Sequence, residues 1–334
     1  MFRAALFVSI LLTGCGFQNV RHGPVSGGLV AKLNAQAITP EKGNRMVAGG
    51  KIATRSAPPG RSLRVRMQLD HAGLPHVGGL FNGRHDELML DTGATVTVLD
   101  AGFAVRNRIA TVPDVHPEMF GVMGKESGMG GIIESLQIDR WSVANLPCVI
   151  RLQRSSSGFG FTKDDFAISV LGFHLFQKHC SYLTLDYPAR MVEFGFSGSF
   201  AGPTRRHSAK STFRMVHGVP MARVSAGKAS WEAIVDTGSC FGIEIDQKLA
   251  QRLGQGTGGT KVEGDFLMVG VGGVVTPKEA GVRVITVPRV STLGSSFQNA
   301  QLDVMPGPAR IGSFFLKDYR VTFDFRRQLI WLEW

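Results

Sequence analysis

The chain has 334 residues, of which 43% are hydrophobic and 19% are charged, and its formal net charge is +11. Residues 1–66 hold ten lysines and arginines and one acid, Glu41, whereas the remaining 268 residues carry 27 basic and 25 acidic side chains. The positive charge therefore belongs to the N-terminal segment, and the nearly neutral body gives no reason to expect a nucleic-acid partner. The rest of the chain is long enough for two lobes of normal domain size, and we expect a monomer.

The first predicted element is a secretory signal over residues 1–14. Arg3 is followed by an apolar run over residues 4–12, which is too short to cross a bilayer. Leu12 and Cys15 fit a pattern that resembles the bacterial lipobox, in which cleavage before the cysteine leaves its thiol carrying diacylglycerol. This predicts a protein of the bacterial cell envelope held by lipid, on the periplasmic face of the outer membrane if the cell is Gram-negative. The alternative is an ordinary signal peptide with an incidental cysteine.

Residues 15–61 are predicted to be a flexible basic tether. They are rich in Gly, Ala, Ser and Pro, and their apolar residues show little periodicity. A basic segment beside an anionic membrane is expected to lie against its surface. We therefore expect the membrane to be a partner of the N-terminal part, through both the lipid and the tether.

From residue 62 onward the pattern is that of a β protein. Leu63, Val65 and Met67 alternate with polar residues, which is the period of a strand with one buried face. Short apolar runs are separated by turn residues, and the chain contains 42 glycines. Helical patterns are scarce and short: residues 247–253, and the segments that follow Gly172 and Gly312.

The triplet Asp-Thr-Gly occurs twice, each time directly after a short apolar run. The first copy consists of Asp91, Thr92 and Gly93; the second consists of residues 236–238, and both aspartates end predicted strands. A carboxylate is costly to bury, and two copies in matched contexts indicate two half-sites that face each other. Paired carboxyl groups that share a proton can activate water, because like charges at one site cannot both ionise cheaply. Taken alone, either triplet would be a common turn sequence.

Other landmarks recur in the same order around each triplet. A Gly-x-Pro sequence precedes each one at the same distance, and a Gly-x-Gly-Gly run follows at residues 128–131 and 270–273. Later, apolar-Gly motifs end at Gly172 and Gly312, and each is followed by an alternating strand around an aspartate. Such self-similarity predicts a duplicated architecture. We assign the first lobe to residues 62–196, a linker to 197–210 and the second lobe to 211–334.

With these motifs the chain resembles a bilobal aspartic protease of pepsin-like architecture, whose individual lobes resemble the retropepsin-like domains of bacteria. The resemblance covers about residues 62–334. It implies a mostly all-β fold of two homologous six-stranded acid-protease β-barrel lobes with few short helices and an active cleft between them. It departs from the pepsins in one respect, because the only tyrosines, Tyr182, Tyr187 and Tyr319, lie far from the glycine-rich run of the first half.

The resemblance also implies roles for individual residues. Asp91 and Asp236 would hold the attacking water of an endopeptidase acting on peptides or proteins, without a cofactor or metal. Thr92 and Thr237 would join the two loops by reciprocal hydrogen bonds, and Gly93 and Gly238 would let the backbone turn and direct its N–H groups at the carboxylates. Flap strands would cover the cleft at two glycine-rich segments: Gly128, Met129, Gly130 and Gly131, and Gly270, Gly272 and Gly273.

Three questions stay open at this level. A catalytically silent peptide-binding or protein-binding envelope lipoprotein on the same scaffold is the main alternative, and a protease acting only on itself during maturation is another. Basic residues of the tether, such as Lys32, Lys42 or Lys51, could occupy an acidic cleft as an inhibitory prosegment does. An exported protein permits a Cys148–Cys180 disulfide, whereas Cys240 is expected to be a small buried thiol.

Overall fold

The computed structural model describes residues 4–5, 9–13, 20–48, 51–121, 123–157, 169–263 and 266–334. Short strands and two helices make up the N-terminal part. They are β1 (Ala4–Ala5), β2 (Ser9–Thr13), β3 (Val20–Pro24), α1 (Gly27–Asn34), α2 (Pro40–Met46), β4 (Val47–Ala48), β5 (Lys51–Ile52) and β6 (Arg55–Ala57). No helix in these described ranges is both long enough and apolar enough to cross a membrane.

The first lobe is a closed barrel. Its elements are β7 (Ser62–Arg66), β8 (Gln68–Leu69), β9 (Pro75–Phe81), β10 (Arg84–Asp91), β11 (Thr97–Asp100), α3 (Ala101–Arg106), β12 (Ala110–Val112), β13 (Glu118–Gly121), β14 (Gly124–Ile138), β15 (Trp141–Arg151), β16 (Gln153–Ser157), β17 (Val170–Gly172), α4 (Phe173–His179), β18 (Tyr182–Asp186) and β19 (Met191–Gly195). Six of these strands form a ring in the order β9, β10, β17, β11, β15 and β14, and the pairing of β14 with β9 closes it.

The second lobe repeats this arrangement. Its elements are β20 (Ser208–Val216), β21 (Val219–Ala226), β22 (Ala229–Asp236), β23 (Ile243–Ile245), α5 (Gln247–Arg252), β24 (Thr260–Lys261), β25 (Phe266–Gly270), β26 (Gly273–Val275), β27 (Arg283–Thr292), β28 (Ser295–Val304), β29 (Arg310–Gly312), α6 (Ser313–Leu316), β30 (Arg320–Asp324) and β31 (Leu329–Glu333). The ring runs β21, β22, β29, β23, β28 and β27, and β27 pairs back with β21. The predicted fold, mostly β with two homologous six-stranded lobes, is confirmed.

A six-stranded sheet joins the lobes beneath the barrels, in the order β7, β19, β18, β30, β31 and β20. Strands β18 and β30 meet antiparallel at its centre, with Thr184 opposite Thr322. Their hydroxyl oxygens lie 2.8 Å apart. These strands are the alternating segments predicted after Gly172 and Gly312. The two halves that repeat in the sequence are therefore related by a near-twofold axis in the structure.

Tight turns precede each active strand. Asn82 and Gly83, between β9 and β10, both have positive φ, as do His217 and Gly218 between β20 and β21, one hairpin before the active strand β22. Two consecutive positive φ values are typical of the tight turns that match the twist of a hairpin. At the other end of β10 and β22 the last four residues are all buried, which carries each aspartate into the interior.

The prediction of a flexible tether over residues 15–61 is wrong for its described part. Helix α1 begins after Ser26, whose hydroxyl accepts a hydrogen bond from the N–H of Leu29 at 3.3 Å. Leu33 is completely buried in the core of the first lobe, and its carbonyl accepts a hydrogen bond from Thr111. Leu29, Val30 and Leu33 share one helix face, which is enough for a short helix to pack although it gives only a weak periodic signal.

The cysteines differ from expectation in part, because only Cys240 was predicted to be a buried free thiol. Cys148, Cys180 and Cys240 are all free and buried, so the predicted Cys148–Cys180 disulfide is absent. Cys148 and Cys180 both belong to the main hydrophobic core, where an uncharged thiol packs as a small apolar group. Burial raises the pKa of both thiols. The predicted lipidation site, Cys15, lies outside the described residues.

Candidate active site

The two triplets lie at equivalent places in the two barrels. Asp91 is the last residue of β10 and pairs in register with Gly172 of the parallel strand β17. Asp236 is the last residue of β22 and pairs in the same way with Gly312 of β29. A β-carbon on either glycine would collide with the backbone of the loop that follows the triplet. The apolar-Gly motifs therefore hold the active loops in place.

The threonines connect the two loops. The Thr92 N–H donates to the Thr237 hydroxyl, and the Thr237 N–H donates to the Thr92 hydroxyl, each at 3.0 Å. Each hydroxyl then donates to a carbonyl of the opposite strand: Thr92 to Val235 at 2.5 Å, and Thr237 to Leu90 at 2.6 Å. Both threonines are completely buried. Four hydrogen bonds in a water-excluded place fix the distance between the loops.

Each carboxyl group packs against the glycine of the other triplet. A β-carbon placed on Gly238 would lie 2.5 Å from Cγ of Asp91, and one placed on Gly93 would collide in the same way with Asp236. Both glycines lie in turns, and the N–H group of each donates to the carboxyl group of its own triplet, as predicted. Neither glycine has a positive φ. The structure adds a second reason for glycine, because its small size makes room for the opposing carboxyl group.

Backbone N–H groups hold one oxygen of each aspartate. Oδ1 of Asp91 accepts from Gly93 at 2.8 Å and from Ala94 at 3.0 Å. Oδ1 of Asp236 accepts from Gly238 at 2.9 Å. Within the described residues, Oδ2 of both aspartates is buried and accepts no hydrogen bond from the protein. These two oxygens are the groups of the site that are able to bind a water molecule or a substrate.

The two carboxyls are unlike in their electrostatics. Burial raises the pKa of Asp91 well above its usual range, and the neighbouring Asp236 raises it further. Burial also raises the pKa of Asp236, to about 6, while Arg310 opposes this shift. A pair of this kind retains one proton at a pH where isolated carboxyls are ionised.

Two hairpins, one from each lobe, meet at their tips. In the first lobe the tip lies between Gly121 and Gly124, where β13 turns into β14. In the second lobe the tip lies between Gly270 and Gly273, where β25 turns into β26. The tips are so close that a β-carbon on Gly121 would lie 2.5 Å from the carbonyl oxygen of Val271.

The glycine-rich runs predicted as flaps are therefore placed differently in the two lobes. Gly270, Gly272 and Gly273 lie at the tip of the β25–β26 hairpin. Residues 128–131 instead lie within β14, paired with β15 and, in part, with β12. Gly128 and Gly131 face side chains of β15 too closely for a β-carbon, so the glycines of this run serve barrel packing.

A buried ion pair ties the two hairpins together. Arg151, at the end of β15, donates to Glu126 of β14 at 2.5 and 2.8 Å. The pair reaches across to the other hairpin: Arg151 donates to the Gly270 carbonyl at 3.3 Å, and the Gly272 N–H donates to Glu126 at 3.1 Å. The two hairpins are thus held together by hydrogen bonds near their tips.

Several residues that position the site were missed in the sequence. Arg310 of β29 and Glu244 of β23 form a completely buried ion pair beside Asp236. Ser313 donates to the Thr237 carbonyl at 2.8 Å, and Tyr187 lies 3.0 Å from the Ser313 hydroxyl. Comparison of the two halves of the sequence could have revealed the ion pair. Two short apolar strands of the second half each contain a charged residue, whereas their counterparts in the first half carry valines.

Residues 77–173 match the family model for Aspartyl protease. This matched segment contains Asp91 and most of the first barrel, so the likeness to the family is confined to the first lobe. The second lobe lies outside the matched segment, and its equivalence depends on the duplicated topology described above.

One solved structure provides a further likeness. The crystal structure of Basic 7S globulin from soybean is similar at a TM-score of 0.44 with 11% sequence identity, over 81% of this chain and 94% of that chain. No curated protein matches the sequence. Within the described ranges, no group of three or more His, Cys, Asp or Glu side chains is arranged to hold a metal ion.

Proposed function

We propose that the protein is an aspartic endopeptidase that hydrolyses peptide bonds with a water molecule activated between Asp91 and Asp236. The observation that carries this proposal is the packing of each carboxyl group against the opposing triplet glycine, with Oδ2 of both aspartates free of protein hydrogen bonds. The family match supports the first half-site, and the near-twofold symmetry extends the same chemistry to the second.

The chemistry follows from the shared proton. The ionised carboxylate takes a proton from water while the oxygen of that water attacks the peptide carbonyl. The protonated carboxyl donates its proton to the carbonyl oxygen as negative charge develops there. Collapse of the tetrahedral intermediate breaks the C–N bond and transfers a proton to the leaving nitrogen, so the products are a new carboxyl terminus and a new amine.

An extended peptide fits the edges of the two hairpins. In the full-length chain, before removal of the signal segment, β2 pairs antiparallel with β25 and β1 pairs in parallel with β13, so each hairpin edge is able to accept an extended segment. Main-chain pairing of this kind binds a peptide largely independently of its sequence. Side chains from both lobes and both hairpins form a second apolar cluster, which favours substrates with apolar residues near the cleaved bond. Its members include Leu74, Met119, Phe241, Met268 and Val271.

The test is cleavage of an unfolded protein or peptide library by the purified chain, from about pH 4 to about pH 8. The singly ionised pair forms as pH rises through about 6. Cleavage should therefore increase over that range and be inhibited by pepstatin. Asp91→Asn and Asp236→Asn should each abolish it.

Asp324→Asn is the matched control, because this buried aspartate lies on β30 in the sheet between the lobes. It should retain activity if it folds. Cleavage that survives both dyad substitutions would refute the proposal, and tight peptide binding without any cleavage would favour the silent binding protein instead.

We further propose that the protein is exported and anchored in the cell envelope by lipid on Cys15. The support is the apolar run over residues 4–12 followed by Cys15. Intact mass measurement of detergent-extracted protein should give a chain that begins at Cys15 with added acyl mass, and Cys15→Ser should release the protein from membranes. An unmodified chain beginning at Met1 would refute the anchor.

A further inference from the structure

The second barrel carries charges where the first barrel is apolar. In the first barrel Val98 of β11 lies opposite Val170 of β17. At the equivalent positions of the second barrel Glu244 of β23 lies opposite Arg310 of β29. The strands pair in the same order in both rings, so the two sites differ in these side chains and not in their framework.

The ion pair lies directly beside one member of the dyad. Nε of Arg310 donates to Oε2 of Glu244 at 2.8 Å, and Nη2 of Arg310 donates to the same oxygen. Nε of Arg310 also lies 3.9 Å from Oδ2 of Asp236, and all three side chains are completely buried. Ser239 donates to the other oxygen of Glu244, whereas its counterpart in the first barrel is Ala94, which has no such group.

We propose that Arg310 is a positioning residue that makes Asp236 the ionised member of the pair, and therefore the base, and leaves Asp91 as the protonated acid. The assignment of roles rests on the proposed function, whereas the assignment of charge does not. A guanidinium is always protonated in proteins, and a cation about 4 Å away within a water-excluded site strongly favours the ionised form of a carboxyl.

The other ionisable groups around Asp236 do not cancel this effect. Glu244 faces it with a negative charge but is itself bound to Arg310 by two hydrogen bonds. Burial raises the pKa of Tyr187 and of Cys240, so both stay neutral. Burial raises the pKa of Asp303 to about 6, and the charge of Glu244 adds to this increase.

Among the residues that the structure describes, no cation acts on Asp91 in this way. Its pKa is raised by burial and by the charge of Asp236, whereas Arg310 lowers that of Asp236. Both influences make Asp236 lose its proton at a lower pH than Asp91.

Stability alone does not explain the ion pair. Burying a charged pair removes two ions from water, and replacing such a pair with apolar residues is often neutral or stabilising. The first barrel shows that the same ring forms with Val98 and Val170 at these positions. The charges are therefore best explained by what they do to Asp236.

The decisive variant gives the second barrel the side chains of the first: Glu244→Val with Arg310→Val. The readout is the titration of aspartate carboxyl carbons by NMR in ¹³C-labelled full-length protein, with Asp91→Asn and Asp236→Asn used for assignment. In the wild type, the Asp236 signal should titrate at lower pH than the Asp91 signal. In the double variant the Asp236 midpoint should rise, because the lowering effect of Arg310 is larger than the raising effect of Glu244 that is removed with it, and the acid limb of kcat/KM should move with it.

A second variant tests the proposal even if the double valine variant does not fold. Glu244→Gln keeps an oxygen for Arg310 but removes the opposing charge, so the Asp236 midpoint should fall instead of rise. If the ion pair had a purely structural role, the two variants would not shift the Asp236 midpoint in opposite directions.

Failure of this inference and failure of the proposed function are distinguishable. If Asp91 titrates first in the wild type, or if neither variant moves the Asp236 midpoint, the inference is overturned. If the titrations behave as expected but no peptide is cleaved, the assignment of charge stands and the protease proposal fails.

Discussion

Replacing Gly238 by alanine should inactivate the protein by displacing the opposite carboxyl group. The new β-carbon would lie 2.5 Å from Cγ of Asp91, whereas ordinary contact begins at 3.4 Å, so one of the two groups has to move by about 0.9 Å. A displacement of about 1 Å at reacting groups costs about 100-fold in rate. Overpacking of a filled interior costs about 1–3 kcal/mol of unfolding free energy.

The assay combines activity with stability. Peptide cleavage by Gly238→Ala should fall by about 100-fold or more. Urea unfolding should show a loss of about 1–3 kcal/mol. In an Asp91→Ala background the carboxyl group is gone, so the same glycine substitution should cost at least about 1 kcal/mol less. Gly78→Ala is the matched control, because this strand glycine is exposed and its nearest atom would lie 4.0 Å from the added carbon.

Two results would refute this reasoning. One is activity in Gly238→Ala close to that of the wild type. The other is an equal loss of stability with and without the Asp91 carboxyl, since that would place the strain elsewhere in the loop. The second result is informative even if the protein cleaves no peptide.

Three further changes test other contacts. Thr237→Val should lower the free energy of unfolding by about 1–3 kcal/mol in urea denaturation, since it leaves the buried Thr92 N–H without its acceptor, whereas Thr237→Ser should retain most of it. The raised pKa of Asp236 means that its stabilising contribution is complete below 3.8 and is lost as pH rises to about 6. Relative to Asp236→Asn, the wild type should therefore lose up to about 1.4 kcal/mol per pH unit across that range in urea titrations. Glu126→Ala should speed amide exchange at Gly272 by about tenfold or more, because it removes the acceptor of that N–H.

Each of these has a clear contrary outcome. Equal stabilities of the valine and serine variants at position 237 would mean that the reciprocal bonds contribute nothing. A wild type that becomes more stable than Asp236→Asn as pH rises would reverse the sign expected for a raised pKa. For the flap contact, Glu118→Ala is the control, since Glu118 and Lys125 form an exposed pair; equal exchange in both variants would refute the link between the hairpins.

Much of the fold could be predicted from the sequence because its motifs occur twice in the same order. The triplets, the apolar-Gly motifs and the alternating strands around Thr184 and Thr322 are local patterns, and each fixes a strand end or a turn. Since both copies obey the same local rules, the sequence predicted two similar β lobes with an aspartate at the end of an equivalent strand in each.

Other features could not be predicted from the sequence, because they depend on contacts between residues that are distant along the chain. Helix α1 has a weak periodic signal, yet Leu33 is buried because the first lobe offers an apolar surface for it. The run at 128–131 resembles a flexible loop, but contacts with β15 place it inside the barrel. The free thiols of Cys148 and Cys180 likewise reflect packing that spacing along the chain does not encode.

The sequence by itself determined that this protein has two equivalent halves, each ending a strand with an aspartate, because strand and turn preferences act over a few residues. Only the tertiary structure decided what makes the halves unequal. The cation beside Asp236 and the room that Gly93 and Gly238 leave for the opposing carboxyls arise from strands that meet in space, and the energy of a buried charge depends on those neighbours.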